Sequence, residues 1–185
     1  MNYDVKTGLV DGARQNSSPN YDKRPDASDI DTIVIHAISL PPGEFGSDAI
    51  EKFFCNQLDH SQHPFYAEIE GACVSAHLLI TRQGELVQFV PLIHRAWHAG
   101  VSHTRGRQNV NDFSIGIELE GCDEQPFEEI QYERLAEVTR LLIGVFSNLT
   151  LEHVYGHSDV APGRKTDPGP EFDWQHFRNL CQQST

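Results

Sequence analysis

The distribution of apolar residues predicts two buried strands in this chain. Residues 32–38 are apolar at nearly every position and rich in β-branched side chains, which is typical of a strand buried on both faces. Residues 113–119 instead alternate between large apolar side chains and small or polar ones. The pattern predicts a strand with Ser114, Gly116 and Glu118 on one face. The apolar residues on the other face are Phe113, Ile115, Ile117 and Leu119. The first strand carries one strongly polar group, His36.

The remaining patterns predict a mixture of helices and strands. Apolar residues at helical spacing predict three helices, over 48–58 after the capping residue Ser47, over 128–146, and after the capping residue Asp173. Strands are predicted over 75–81 and 85–90, which form a hairpin, and over 151–155. Three segments are predicted to be irregular: 1–30, 59–72 and 91–112. A long irregular segment inside a compact domain is more often functional than idle, which draws attention to 91–112.

This order of elements predicts an α/β fold with a mixed central sheet flanked by helices. The length of 185 residues fits a single domain over residues 1–185. Within it we expect a core over about residues 21–180 and an N-terminal segment, residues 1–20, that wraps the surface.

Composition and charge narrow the classes of function. The chain has 14 basic and 27 acidic residues and a formal net charge of −13, which disfavours nucleic acid or an anionic membrane as a partner. We therefore expect a small-molecule substrate and infer no obligate protein partner. The four cysteines form no close pair, and the N-terminus has no apolar leader pattern. These features predict free thiols and a cytoplasmic location.

The segment 155–170 holds the clearest candidate chemistry. His157, Lys165 and Asp167 stand among several Gly and Pro residues, which favour a constrained loop. An imidazole nitrogen and a carboxylate oxygen are zinc ligands, but a catalytic zinc needs three protein ligands and an open position. The third ligand must come from another part of the chain, and His36 and His77 are the two candidates.

Further side chains have chemical roles that would complete such a site. Glu118 is suited to act as general base on a water molecule, and the Lys165 ammonium is suited to stabilise a developing oxyanion. Each is equally compatible with an ordinary solvated charge. Trp97, in the long irregular segment, offers an indole face that could stack on a sugar ring or simply pack on the core.

Five sequence blocks, in order along nearly the whole chain, carry a resemblance. They are residues 36–46, 74–77, 95–102, 111–121 and 164–170. Together they resemble the amidase-2 family of N-acetylmuramoyl-L-alanine amidases, within the peptidoglycan-recognition superfamily. The sequence departs from the family pattern at Ala37, at Cys73 and at the pair Phe65–Tyr66.

The resemblance implies a mixed sheet and one Zn²⁺ held by His36, His157 and Asp167. It also implies that Glu118 activates water and that Lys165 steadies the transition state. Substrate contacts are expected from Trp97, Arg164, His98 and Tyr66. The implied reaction cleaves the amide between the lactyl group of 1,6-anhydro-N-acetylmuramic acid and L-alanine, in cytoplasmic peptidoglycan recycling. The implied consequence of losing this activity is raised expression of inducible β-lactamase.

Two alternative functions are compatible with the same fold. A non-catalytic muropeptide-binding module would keep the groove and lose a ligand, whereas here the ligand set, Glu118 and Lys165 are all present. A periplasmic amidase acting on intact peptidoglycan would need an export signal, and the N-terminus shows no such pattern.

Overall fold

A six-stranded mixed sheet forms the centre of the protein. The structure is a computed structural model and describes residues 1–183. Twelve strands are present in this range: β1 Asn2–Asp4, β2 Leu9–Asp11, β3 Arg14–Gln15, β4 Tyr21–Lys23, β5 Thr32–Ile38, β6 Leu78–Ile80, β7 Leu86–Gln88, β8 His94–Ala96, β9 His103–Thr104, β10 Arg107–Gln108, β11 Ser114–Glu120 and β12 Val154–Gly156. The strand order in the central sheet is β12-β5-β11-β6-β7-β3.

Five α-helices flank or edge this sheet: α1 Ala49–Phe54, α2 Pro64–Glu68, α3 Glu129–Val145, α4 His157–Val160 and α5 Trp174–Gln182. Three short 3-10 segments lie at Ala27–Asp29, Val110–Asp112 and Leu151–His153. The architecture is the expected α/β class with a mixed sheet, because β12, β5, β11 and β6 run parallel and β6 pairs with β7 in the antiparallel sense.

The two long central strands show how the alternation of side chains creates two faces. Ile33 and Ile35 of β5, with Ile115 and Ile117 of β11, pack into the core that contains α3 and α5. The opposite face of β11 presents Ser114, Gly116 and Glu118, as the alternation predicts. Phe113 differs from the prediction, because it precedes the strand and packs in a separate cluster with Val34, Val110 and Val160. One face of the central strands is therefore apolar core, and the other is free to carry chemistry.

The helices agree with the sequence pattern in part. The helices predicted over 128–146 and after Asp173 are present as α3 and α5, and the Asp173 carboxylate accepts a hydrogen bond from the backbone N–H of His176. Helix α1 is shorter than predicted, and its N-cap is Asp48, not Ser47. Helix α2 lies in a segment predicted to be irregular. There His63 accepts from the N–H of Phe65, and Pro64 supplies a backbone already suited to the first turn.

The N-terminal segment contributes to the core and to the central sheet as well as to the surface. Val10 is buried in the main core, and β3 pairs with β7 at the edge of the central sheet. Strand β4 pairs with β8, so part of the segment 91–112 is also regular. The prediction of irregular structure in both segments was wrong at these strands. Strands of two or three residues are too short to show a periodic pattern, and their pairing depends on distant partners.

A buried arginine ties this N-terminal region to the sheet. The Arg24 guanidinium donates to the backbone carbonyls of Ser114, Asn111 and Asp112 at 2.7, 2.9 and 3.1 Å. Burial lowers the pKa of Arg24 to about 10, so the group remains charged near neutral pH. Arg24 therefore fixes the start of β11, the strand that carries Glu118.

Within residues 1–183, the helices are all either too short or too polar to cross a lipid bilayer.

Candidate metal centre and active site

The candidate site lies where three neighbouring parallel strands end. Glu118 of β11 is the register partner of His36 on β5. Gly156 at the end of β12 pairs with Ile35 on the other side of β5, so that His157 follows beside His36. Ligand sites in open α/β sheets are commonly built outside the carboxyl ends of parallel strands. The fold therefore brings together residues that are far apart in sequence.

Three electron-donating atoms converge at this sheet end. His36 Nδ1 lies 2.9 Å from His157 Nδ1, and each lies close to Asp167 Oδ2, at 3.2 and 3.1 Å respectively. Tetrahedral ligands about 2.0–2.1 Å from a zinc ion are separated by about 3.3 Å from one another. The triangle thus has nearly the dimensions of one face of a zinc tetrahedron. In the described part of the chain, this trio forms the single group of His, Cys, Asp and Glu side chains arranged to hold a metal.

Outer contacts fix which nitrogen of His157 carries its proton. His157 Nε2 lies 3.3 Å from the Ala99 carbonyl oxygen, which can only accept a hydrogen bond. A neutral ring in this position therefore carries its proton on Nε2, and its Nδ1 presents a lone pair toward His36 and Asp167. Converging lone pairs of this kind need a proton or a cation between them.

Burial favours a neutral His36 ring, and hydrogen bonds keep the Asp167 carboxylate ionised. Removal from water lowers the pKa of His36 to about 4, against an opposing effect of Asp167. For Asp167, burial alone would raise the pKa, but hydrogen bonds with His157 and His36 outweigh it and hold the pKa well below its usual range. A neutral imidazole at His36 and an ionised carboxylate at Asp167 are the protonation states that a metal ion requires of such ligands.

The loop after β12 places Asp167 by backbone contacts. The N–H groups of Arg164 and Lys165 both donate to the Ala161 carbonyl, which closes a turn after α4. The Asp167 carbonyl then accepts from Ser158 N at 2.9 Å, directly beside His157. The Gly and Pro residues of the segment permit this compact path, which brings the two candidate ligands together although they are ten residues apart.

Glu118 lies beside the triangle as a buried and unpaired carboxylate. Only 8% of the residue is exposed, and Oε2 has no hydrogen-bond partner among residues 1–183. Burial raises the pKa of Glu118 well above its usual value, the nearby Asp167 charge raises it further, and Lys165 opposes the shift. A carboxylate with a raised pKa is suited to accept a proton near neutral pH.

Lys165 and Arg164 border the site from the loop side. Lys165 is exposed, and its charge is close enough to lower the pKa of both Glu118 and His36. The Arg164 guanidinium donates to the carbonyls of Ala99 and Val101. It therefore links this loop to the backbone of residues 99–101. Both residues line the cavity that contains the triangle.

The triangle and Glu118 lie in the wall of a cavity of about 630 Å³. Sites for drug-sized molecules occupy roughly 300–1,000 Å³, so this cavity admits a sugar with a short peptide. Its lining includes an indole, a phenyl ring, two acidic groups and two basic groups, from Trp97, Phe65, Asp123, Glu124, Arg164 and Lys165.

One residue predicted to contact substrate, Tyr66, lies away from the cavity. Tyr66 is buried in the core around α1 and donates its hydroxyl to the Leu40 carbonyl at 3.2 Å, while its neighbour Phe65 lines the cavity. The predicted contact at Tyr66 therefore fits Phe65 better, because successive residues of α2 point in different directions. His98 lines the cavity, and its Nδ1 lies 3.0 Å from His36 Nε2.

The alternative ligand His77 is excluded by its hydrogen bonds. Its Nδ1 accepts from the N–H of Gly116 at 3.0 Å, and Nε2 lies 3.0 Å from the His94 carbonyl. Both ring nitrogens of this fully buried residue are occupied away from the triangle, which leaves His36 as the third candidate ligand.

Comparison with known proteins gives consistent relationships. A family model described as N-acetylmuramoyl-L-alanine amidase matches residues 26–170. The chain is 52% identical over 181 residues to the 1,6-anhydro-N-acetylmuramyl-L-alanine amidase AmpD of Escherichia coli (strain K12), with 98% of each chain covered. It is 48% identical over 174 residues to the corresponding AmpD of Haemophilus influenzae, covering 94% of this chain and 95% of the relative.

Solved structures show the same relationship in three dimensions. A crystal structure of a Se-Met AmpD derivative superposes with a TM-score of 0.93 at 50% identity, covering 97% of this chain and 99% of that one. The E. coli amidase AmiD, solved in complex with anhydro-N-acetylmuramic acid-L-Ala-D-gamma-Glu-L-Lys, gives a TM-score of 0.60 at 32% identity. That match covers 82% of this chain and 57% of AmiD.

Proposed function

The chain belongs to the N-acetylmuramoyl-L-alanine amidase family, and on this premise we propose that it hydrolyses the amide between the lactyl group of N-acetylmuramic acid and L-alanine. The observation that carries the proposal is the convergence of His36, His157 and Asp167 beside the buried Glu118. The hydroxyl of water adds to the lactyl carbonyl carbon, the C–N bond breaks, and the amine of L-alanine takes up a proton.

We propose that the three-atom triangle holds one Zn²⁺. The donor set of two imidazoles and one carboxylate leaves a fourth position open, as in hydrolytic zinc sites. When bound, such an ion supplies Lewis acidity that polarises a carbonyl oxygen and makes a water molecule easier to deprotonate. The near-tetrahedral spacing of the three atoms supports this choice of metal.

Glu118 serves as the proton acceptor and then the proton donor. Its unpaired Oε2 is free to accept a proton from water, and its raised pKa matches that task. The same carboxyl group can then return a proton to the departing amine. The shared face of β5 and β11 keeps this carboxyl beside His36 throughout.

Lys165 supplies positive charge at the edge of the cavity. Its exposed side chain lines the cavity, and the ammonium can approach an oxygen atom on which negative charge develops. Trp97 and Phe65 offer ring faces for the sugar and other apolar parts of the substrate, and Arg164 offers a guanidinium edge to a carboxylate of the stem peptide.

We further propose that the substrate carries the 1,6-anhydro sugar and that the enzyme works in cytoplasmic recycling of peptidoglycan. The support for the sugar is the similarity to amidases named for that substrate and the complex of AmiD with an anhydro-muropeptide. The wide spacing of the four cysteines along the sequence, which are free thiols in the structure, supports a reducing compartment.

The proposal is tested by incubating the zinc-loaded protein with anhydro-muropeptide monomer and, separately, with intact sacculi. Mass spectrometry is expected to show free stem peptide from the monomer at a much higher rate. Release from sacculi at an equal or greater rate would favour an enzyme of the cell wall. Binding of the monomer without any release of peptide would favour a non-catalytic module.

A further inference from the structure

We propose that His98 is a positioning residue, which holds the metal ligand His36 in the tautomer and orientation that direct Nδ1 to the metal. This inference rests on the proposed metal site. It adds a role toward the ligand His36 to the predicted role of His98 as a substrate contact, since His98 also lines the cavity.

The contacts of His98 form a short buried chain. His36 Nε2 lies 3.0 Å from His98 Nδ1, and His98 Nε2 lies 3.2 Å from Ser114 Oγ. The two imidazole rings meet edge to face, with centroids 5.0 Å apart and planes at 85°. All three residues are buried, so bulk water does not compete for these hydrogen bonds.

Proton positions along this chain follow from metal binding. A metal on His36 Nδ1 requires the proton of that ring to be on Nε2, where it donates to His98 Nδ1. The proton of His98 is then on its own Nε2 and is donated to the Ser114 hydroxyl. Each ring then has one hydrogen-bond donor and one acceptor. None of the three hydrogen-bonded side chains, His36, His98 and Ser114, needs a charge.

Gly116 makes room for this arrangement. A Cβ atom at residue 116 would lie 2.4 Å from His98 Cγ and 2.6 Å from its Nδ1, closer than such atoms approach. The backbone at Gly116 is an ordinary strand, so a special conformation does not explain the glycine. The absence of a side chain on this face of β11 allows the His98 ring to pack directly against Gly116, between Ser114 and His36.

The backbone beside His98 supports the second ring ligand. The Ala99 carbonyl accepts from His157 Nε2, so the two consecutive residues 98 and 99 hold both imidazole ligands. The Asn111 side chain in turn accepts from the backbone N–H groups of His98 and Ala99 at 3.3 and 2.8 Å. Partners of this kind orient metal ligands, and their removal typically costs 10–100-fold in metal affinity.

The first test measures zinc affinity by competition with a chelating dye. His98→Phe preserves much of the ring volume and removes the acceptor, and it is expected to weaken zinc binding about 10–100-fold. His98→Asn places an amide oxygen near the position of Nδ1 and is expected to recover most of that affinity. Equal zinc affinity in wild type and His98→Phe would overturn the inference.

Gly116→Ala provides an independent test with a matched control. It is expected to displace His98 and weaken zinc binding, whereas Gly144→Ala, in α3 with open space around it, is expected to bind zinc as wild type does. Thermal melting in a chelator shows whether each variant folds. Unchanged zinc affinity in folded Gly116→Ala would count against the inference.

A spectroscopic test needs no variant. Long-range ¹H–¹⁵N spectra of the zinc-loaded wild type are expected to show protons on Nε2 of both His36 and His98. A proton on His98 Nδ1 would overturn the inference even if zinc binds. Failure of wild type to bind zinc would instead overturn the proposed function, and this inference with it.

Discussion

His36 and Glu118 are register partners on adjacent parallel strands, so a candidate metal ligand and a candidate general base leave the sheet side by side. Both are buried, and both project from the face opposite to the main apolar core. This pairing gives the two side chains a fixed separation that does not depend on a flexible loop. A rigid scaffold of this kind is what precise proton transfer requires.

Replacement of Glu118 by Gln is expected to remove most of the activity and leave the metal in place. The amide keeps the shape of the side chain but cannot accept a proton, and general acid–base catalysis contributes about 10²–10⁴-fold. Steady-state release of stem peptide and zinc content per chain are the measurements. A matched control is Glu124→Gln, also in the cavity lining, for which kcat is expected to stay within about threefold. Retained turnover in the Glu118 variant would remove this residue from the mechanism.

The same substitution is expected to stabilise the zinc-free protein. Because burial raises the pKa of Glu118, the folded protein holds this proton at pH values where the unfolded chain has released it. Stability is therefore lost as pH rises above the usual carboxyl pKa, and Glu118→Gln removes that loss. Thermal melting in the presence of a chelator is expected to give similar Tm values for wild type and variant near pH 4 and a higher Tm for the variant at pH 7. Each kcal/mol gained in the free energy of unfolding corresponds to about 2–4 °C in Tm. A lower Tm at pH 7 would contradict the burial of an unpaired carboxylate.

Lys165→Ala is expected to lower kcat about 10²–10³-fold with a smaller effect on KM, because its charge is needed chiefly when the oxyanion develops. Lys165→Arg keeps the positive charge but carries it on a planar guanidinium group, and it is expected to recover part of the rate. The side chain is exposed, so Tm is expected to remain within about 2 °C of wild type. A change confined to KM would assign Lys165 to binding alone.

Arg24→Met is expected to destabilise the protein by about 3–5 kcal/mol. The substitution leaves buried carbonyls at the start of β11 without their donor, and such groups are costly to leave unpaired. Arg178→Met is the matched control, since Arg178 is half-buried and makes one 3.4 Å contact with a carbonyl. Denaturant unfolding of the two variants side by side is the measurement. Equal stabilities would show that the Arg24 contacts are not essential to the fold.

The sequence predicted the elements that carry their own periodicity. The alternation in β11, the long apolar stripe of α3 and the cap at Asp173 all depend on nearby residues, and the structure contains each of them. The strands of the N-terminal region and of 91–112 depend on distant partners. Pairing of β3 with β7 or β4 with β8 has no local signal in two or three residues.

The same distinction applies to the site. Residue type and loop composition indicated His157, Asp167 and Lys165. The position of His36 at the end of a buried strand favoured it over His77, and the resemblance made the same choice. The role of residues that act through others was not visible. Nothing local in the sequence indicates that the Ala99 carbonyl supports His157, or that Tyr66 turns inward and leaves Phe65 to line the cavity. A glycine within a strand indicated that another group approaches closely at Gly116, but nothing in the sequence showed that this group is His98.

The central claim is that His36, His157 and Asp167 bind one zinc ion. The most direct measurement is the zinc content per chain of wild type and Asp167→Ala, after dialysis against a weak chelator. We expect about one zinc per wild-type chain, as for a single three-ligand site, and strongly reduced zinc in the variant. Asp123→Asn, from the same cavity but outside the triangle, is expected to match wild type. Full zinc content in Asp167→Ala, or none in the wild type, would contradict the account.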